Sequence, residues 1–199
     1  MTFKILSVVE NRPDLMKIAA LHEAVKDYNS YENGAKIDHL VVHTGAPYQV
    51  KTGFFFTDLD LPKPQLFLGV GSGSHSARTA KVMEGFERVL LAEKPDVVVV
   101  VGDVNSTVAC AFVTKKTQCS RSPYGEDFIP KLAHVEAGLR SFDRTMPKEV
   151  NRIVTDSISD YLFTTEESAN QNLRKEGVPQ SKVHFVGNVM IDTLLRHRA

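Results

Sequence analysis

The chain has 199 residues, and its 24 Lys and Arg balance its 24 Asp and Glu, so the formal charge is zero. That length buries roughly 70% of the unfolded surface, enough for one well-packed domain without staples, and 42% hydrophobic with 24% charged residues is an ordinary globular composition. Neutrality argues against a duplex-binding protein; the absence of an apolar run near ~18 residues, or of a signal-peptide core, argues against a membrane or secreted one; and two cysteines, Cys110 and Cys119, are too few for a disulfide scaffold or a zinc site.

In chain order, β-branched runs alternate with amphipathic segments. Strands are predicted at Lys4–Val9, Ile37–His43, Val97–Val101, Lys131–Val135, Tyr161–Thr164 and Val183–Val186. The five consecutive valines at 97–101 are the pattern of a strand covered on both faces, where no polar alternation is needed. The first helix is expected at Pro13, with Asn11 capping the exposed amides and Leu15, Ile18 and Ala19 on one face. A second runs from Ser76 to about Glu93, with Val82, Phe86, Val89 and Leu90 inward. Pro147 opens another, and a fourth spans Glu166–Glu176, stopped by Gly177 and Pro179. Thr44–Ser74, which holds Phe54–Phe56, is predicted to be a long loop with one helical turn, and Thr117–Pro130 a surface insertion. Strand, helix, strand, repeated, implies right-handed βαβ units and a doubly wound, Rossmann-like parallel α/β sheet.

In such a sheet ligands bind beyond the carboxyl ends of the strands. The polar residues that directly follow the predicted strands are therefore the candidate site: Arg12 and Lys17, His43, Asp103, Glu136, Arg140 and Arg144. Both charge signs on one rim suit a site that binds an anion while moving protons. Asp103 has a plainer use as the cap of the following helix. Glu136, between a buried strand and Ala137-Gly138, is placed for acid/base work, or else pairs with Arg140. His134 is expected to be a satisfied core residue. Gly69–His75 looks like a phosphate loop, but Ser74 stands at the third glycine of the dinucleotide fingerprint, and the segment does not follow the first strand. It is read as a loop over the substrate. Cys110 is read as a buried filler and Cys119 as a surface thiol.

These motifs together resemble the non-hydrolysing UDP-N-acetylglucosamine 2-epimerases. The resemblance lies in Arg12-Pro13-Asp14 with Lys17, in Lys94-Pro95-Asp96 leading through the valines to Gly102-Asp103, and in Asn105-Ser106-Thr107. It continues in His134–Arg140, Ser141–Pro147, Asn151-Arg152 and Gly187–Asp192. It implies one half of a glycosyltransferase-B-type architecture, in which two Rossmann-like domains face each other across a cleft. The implied reaction interconverts UDP-GlcNAc and UDP-ManNAc for surface polysaccharides. UDP is eliminated to give 2-acetamidoglucal, then added back with the other C2 configuration, with neither metal nor nicotinamide. By resemblance Asp103 and Glu136 are the catalytic carboxylates, Arg12 and Lys17 hold the nucleotide-sugar, and Arg152 joins Arg140, Arg144 and His43 as candidate substrate contacts.

Several positions depart from the family pattern. Glu10-Asn11 replaces Gly-Thr, Ala46-Pro47 replaces Gln-His, and Pro147-Lys148-Glu149 replaces Pro-Glu-Glu. Lys148 occupies the place of a family glutamate, which leaves Glu149 as the third candidate catalytic carboxylate. Residues 1–190 are expected to be the N-terminal half-domain and 191–199 the start of a linker to a C-terminal nucleotide-binding domain, in cis or in trans. A homo-oligomer in the cytoplasm, engaging neither nucleic acid nor membrane, completes the expectation. Two other readings stand beside it: a non-catalytic sugar-nucleotide-binding or scaffold domain, and a glycosyltransferase-B half of other specificity.

Overall fold

The computed structural model describes residues 2–31, 34–45, 64–120 and 126–196. Its framework is a seven-stranded, wholly parallel sheet. In chain order its strands are β1 (Phe3–Val9), β2 (Ile37–His43), β3 (Leu66–Phe67), β4 (Val97–Val101), β7 (Lys131–Ala137), β8 (Tyr161–Thr164) and β9 (Val183–Phe185), and in space they run β3-β2-β1-β4-β7-β8-β9. A separate antiparallel pair, β5 (Cys119–Ser120) with β6 (Asp127–Phe128), lies within the segment expected to be an insertion. The helices are α1 (Arg12–Ser30), α2 (His75–Glu93), α3 (Asn105–Lys116), α4 (Pro147–Ile158), α5 (Glu167–Lys175) and α6 (Val189–Arg196).

The valine strand shows why the sheet needs no polar alternation. Val98 and Val100 join Leu6, Val8 and Leu132 under α2 and α3, in a core centred on Phe86 and Leu90. Val99 and Val101 face the other way, against Leu15, Ile18 and Ala19 of α1. Both faces of β4 are thus dry, as parallel sheets require. On the α1 side, Ile5, Val97, Val99, Ala133, Val135 and Phe163 also line an apolar groove of about 540 Å³. There α6 lies along α1, tied by the Thr193 hydroxyl to the Met16 carbonyl at 2.7 Å and by Arg196 to Glu23 at 3.2 Å.

Local chemistry fixes the helix starts. Asn11 accepts from the Asp14 amide (3.1 Å) and Asp14 returns a bond to the Asn11 amide (3.2 Å), a reciprocal cap beside Pro13. Ser74 caps α2 by accepting from the Ala77 amide. The cap expected of Asp103 is not formed: α3 starts after Val104 with no side-chain cap. Cys110 is buried as expected, whereas Cys119 is buried too, its thiol near the Leu90 carbonyl, which corrects the surface assignment. The expected loop at Thr44–Ser74 contains β3, and its Phe54–Phe56 and Ala46-Pro47 lie outside the described residues.

Strand order places the site. From β1 the chain winds outward to β2 and β3, crosses back through α2 to β4, then winds the other way to β9. The reversal lies between β1 and β4, and the crevice beyond their carboxyl ends is where doubly wound sheets bind ligands.

Candidate active site

Gly102, at the end of β4, sits at the centre of a cluster of charges. Its backbone is left-handed (φ +65), and a Cβ there would lie 3.4 Å from Lys17 Nζ, 3.5 Å from Glu136 Oε2 and 3.9 Å from Asp14 Oδ1. Glycine is therefore required for its conformation and because three side chains converge on it. Lys17, one turn into α1, forms an ion pair with Glu136. Glu136 is itself left-handed (φ +69), at the bulge where the β7–β8 register shifts between Val135 and Ala137. A bulge re-aims a side chain; here it turns Glu136 toward Lys17 and not toward Arg140, the alternative partner.

Asp14 lies beneath that pair, buried at 4% exposure. Burial pushes its pKa up from 3.8 to about 6, against the pull of the Glu10 amide, Lys17 and the Asn11 amide. Nothing in the spacing singled Asp14 out; only its position as the third helical residue, in a run that opens on Asn11, hints at the inward turn.

Asp103 follows Gly102. Its carboxylate pairs with Arg152 of α4 and, at 3.5 Å, with the Lys148 ammonium, while its carbonyl accepts from the Asn151 side chain at 2.9 Å. Arg152 reaches on to Glu149 at 3.1 Å. Glu149 is 1% exposed, and its oxygens also take the amides of Ser141 and Phe142, each at 3.0 Å. Burial acts to raise its pKa, but those amides and Arg152 outweigh it and hold the group below the usual carboxylate range. Glu149, expected as a third acid/base group, is thus buried and holds the 141–142 turn.

Arg140 is likewise turned inward. Its guanidinium, 1% exposed, is clamped between Asp156 (2.7 Å) and Glu176 (2.7 Å). Burial opposes its charge, but Glu176 and Asp156 more than offset it, so its pKa rises above the ordinary value. Asp156 also takes His134 Nδ1 (2.6 Å) and the Gly138 amide (3.0 Å), and His134 Nε2 donates to the Gly102 carbonyl (2.8 Å). His134 is thus the satisfied core residue expected, and it braces the loop that carries Asp103. Arg144 is exposed beside a hollow shared with Glu176 and Lys182, away from the β1 and β4 ends, so it does not join the other candidates.

Beside the charge cluster, a cavity of about 510 Å³ opens at the ends of β1, β2 and β3, between the N-termini of α1 and α2. Arg12 lines it, as do His43, Gly71 and Ser72. Glu10 borders it too, pairing with Arg78 and accepting from the Ser106 hydroxyl at 2.7 Å. His43 accepts from the Gly45 amide at 3.0 Å, and burial lowers its pKa against the raising effect of Glu10, which keeps a neutral ring in the wall. Arg12, exposed at the tip of α1, carries no ion pair among the described residues, and a helix N-terminus beside it adds amides that suit an anion. Asp103 and Glu136 are not part of this cavity's lining. Among the described residues no group of three or more His, Cys, Asp or Glu is arranged to hold a metal ion, and no helix is long and apolar enough to cross a membrane.

The sequence profile described as UDP-N-acetylglucosamine 2-epimerase matches residues 29–199. The UDP-N-acetylglucosamine 2-epimerase of Methanocaldococcus jannaschii is 40% identical over 195 residues, covering 98% of this chain and 48% of the relative. Its crystal structure in complex with UDP-GlcNAc and UDP superposes with a TM-score of 0.84, covering 98% of this chain and 49% of that one. The UDP-2,3-diacetamido-2,3-dideoxy-D-glucuronate 2-epimerase of Pseudomonas aeruginosa is 36% identical over 195 residues, covering 96% of this chain and 50% of the relative. The chain spans about half the length of the curated relatives it matches. On that profile match and those identities, and with the fold and the strand-end motifs in agreement, the chain belongs to the UDP-N-acetylglucosamine 2-epimerase family.

Proposed function

We propose that residues 1–190 are the acid/base-bearing half of a nucleotide-sugar 2-epimerase acting on UDP-GlcNAc and UDP-ManNAc, and that residues 191–199 begin the link to a second nucleotide-binding half, supplied in cis or in trans. The observation that carries the reading is the convergence of two separately paired carboxylates, Glu136 with Lys17 and Asp103 with Arg152, at the reversal of strand order.

The chemistry asks for two such groups. One carboxylate takes the C2 proton; the C–H electron pair forms the C1=C2 bond of 2-acetamidoglucal, and the C1–O bond breaks with its electrons leaving on UDP. Re-addition returns a proton to the opposite face of C2, which a second group on another arm supplies. Lys17 and Arg152 hold the two carboxylates in place at the rim. Arg12 at the α1 N-terminus takes diphosphate charge, and the neutral His43 ring lines the same cavity. Glu149 positions Arg152 and the 141–142 turn. A second half closing over the rim excludes water from the glycal, which otherwise hydrates; alone, this half is expected to turn over little. The setting is cytoplasmic, where nucleotide sugars are made, and the enzyme is a homo-oligomer feeding polysaccharide synthesis.

Lys148 favours a second reading, a sugar-nucleotide-binding or scaffold domain without turnover, because its ammonium competes for Asp103 at 3.5 Å. Conversion of UDP-GlcNAc to UDP-ManNAc, followed by NMR with the complementary half of a relative present, separates the two. The epimerase reading expects conversion, lost in Glu136→Gln while the variant stays folded. Binding without conversion establishes the scaffold.

A further inference from the structure

The turn after β7 keeps an aromatic side chain in the open at a cost in backbone conformation. Phe142 is 77% exposed, yet its backbone is left-handed (φ +61), a region a non-glycine residue enters only when its surroundings impose it. The imposing group is Glu149, which accepts from the Phe142 and Ser141 amides, both at 3.0 Å, from a site that is 1% exposed. A buried carboxylate is thus committed to a turn whose most conspicuous product is a solvent-facing ring. Folding gains almost nothing from that ring, since an exposed phenyl buries little area.

The ring has an address. Phe142, Ser141 and Arg152 share the wall of a hollow of about 340 Å³ at the β7 and β8 ends, and Arg152 is the residue paired with Asp103. The hollow therefore adjoins the carboxylate proposed to move the C2 proton. What lies against Asp103 during that step is the pyranose ring and its 2-acetamido group, while the uracil is separated from it by the diphosphate.

We propose that Phe142 is a substrate contact whose ring packs against the apolar face of the pyranose or its acetamido methyl, and that Glu149 is the positioning residue that presents it. This rests on the nucleotide-sugar reading above. It makes the β7–α4 turn the part of this half that distinguishes a sugar nucleotide from the bare nucleotide.

Phe142→Gly separates this role from a structural one. Glycine adopts the left-handed turn without strain, so the variant is expected to melt a few degrees higher. The intact chain, joined by the second half of a relative, is titrated calorimetrically with UDP-GlcNAc and with UDP. The expected result is an affinity for UDP-GlcNAc about tenfold weaker than wild type, an affinity for UDP within about twofold, and recovery with Phe142→Tyr. Glu149→Gln is expected to lower UDP-GlcNAc affinity, and to cost less in the Phe142→Gly background, by the share of its effect that acts through the ring and not through Arg152. A Phe142→Gly variant that binds both ligands as wild type does, or loses both equally, overturns the inference and leaves the epimerase reading standing. A wild-type half that binds neither ligand with the second half present overturns that reading, and this inference with it.

Discussion

Replacing Asp14 with Asn removes one titrating group from beneath the Lys17–Glu136 pair while keeping an oxygen where Oδ2 accepts the Glu10 and Asn11 amides. The folded-state pKa of Asp14, about 6 against 3.8, means that folding favours the protonated acid, so its contribution is fully present below pH 3.8 and lost as pH rises through about 6. The whole rise is equivalent to about 3 kcal/mol, and about 2 kcal/mol of it falls between pH 7.5 and pH 4.5. Urea unfolding of both proteins at pH 7.5, 6 and 4.5 reads the effect as a difference. Relative to Asp14→Asn, the wild type should gain about 2 kcal/mol on going from the highest pH to the lowest. The comparison matters because other groups titrate in the same window, His39 in the opposite sense, and they cancel between the two proteins. A difference that does not move with pH would refute the argument that burial, and not the nearby ammonium, dominates at Asp14.

Three further outcomes test other parts of the structure. His39, buried between Ser7 (2.8 Å) and His22 (3.2 Å), has its pKa lowered from 6.5 to about 4, by burial first and then by His22. Its stabilisation is complete above pH 6.5 and lost as pH falls toward 4, so wild type should lose about 2–3 kcal/mol against His39→Gln between pH 7.5 and 4.5, read by the same urea titrations. Gly138→Ala puts a Cβ 2.6 Å from the Ala169 carbonyl oxygen at a φ of +78; a loss of about 2–4 kcal/mol in denaturant unfolding is expected, and a neutral result would show that the β7–α5 contact yields freely. Asp156→Ala strands Arg140 and His134 in the interior, and about 3–5 kcal/mol of stability should go with it, seen as a large fall in the thermal midpoint.

The sequence was most legible where one residue's surroundings are local. The valine run announced a strand dry on both faces, and residues directly after strands gave the rim, because strand ends in a parallel sheet share one edge. It was least legible where partners are distant. Lys17 meets Glu136 across 119 positions, and Arg140 is captured by Glu176, 36 positions on, so neither pair could be read from spacing. Glu149 faces inward through contacts with a turn seven and eight residues before it. β3 is two residues long, too short to show a period of two. The strand order that creates the crevice depends on a crossover that local periodicity does not encode.

The most direct measurement is deuterium at C2 of UDP-GlcNAc recovered from heavy water after incubation with this chain joined by the second half of a relative, run beside Glu136→Gln. Incorporation by the wild-type half, absent in the variant, is the outcome expected if Glu136 and Asp103 move the sugar's proton. No label at C2 with either, although the nucleotide-sugar binds, would contradict the account and leave a Rossmann-like half that holds its ligand without reacting it.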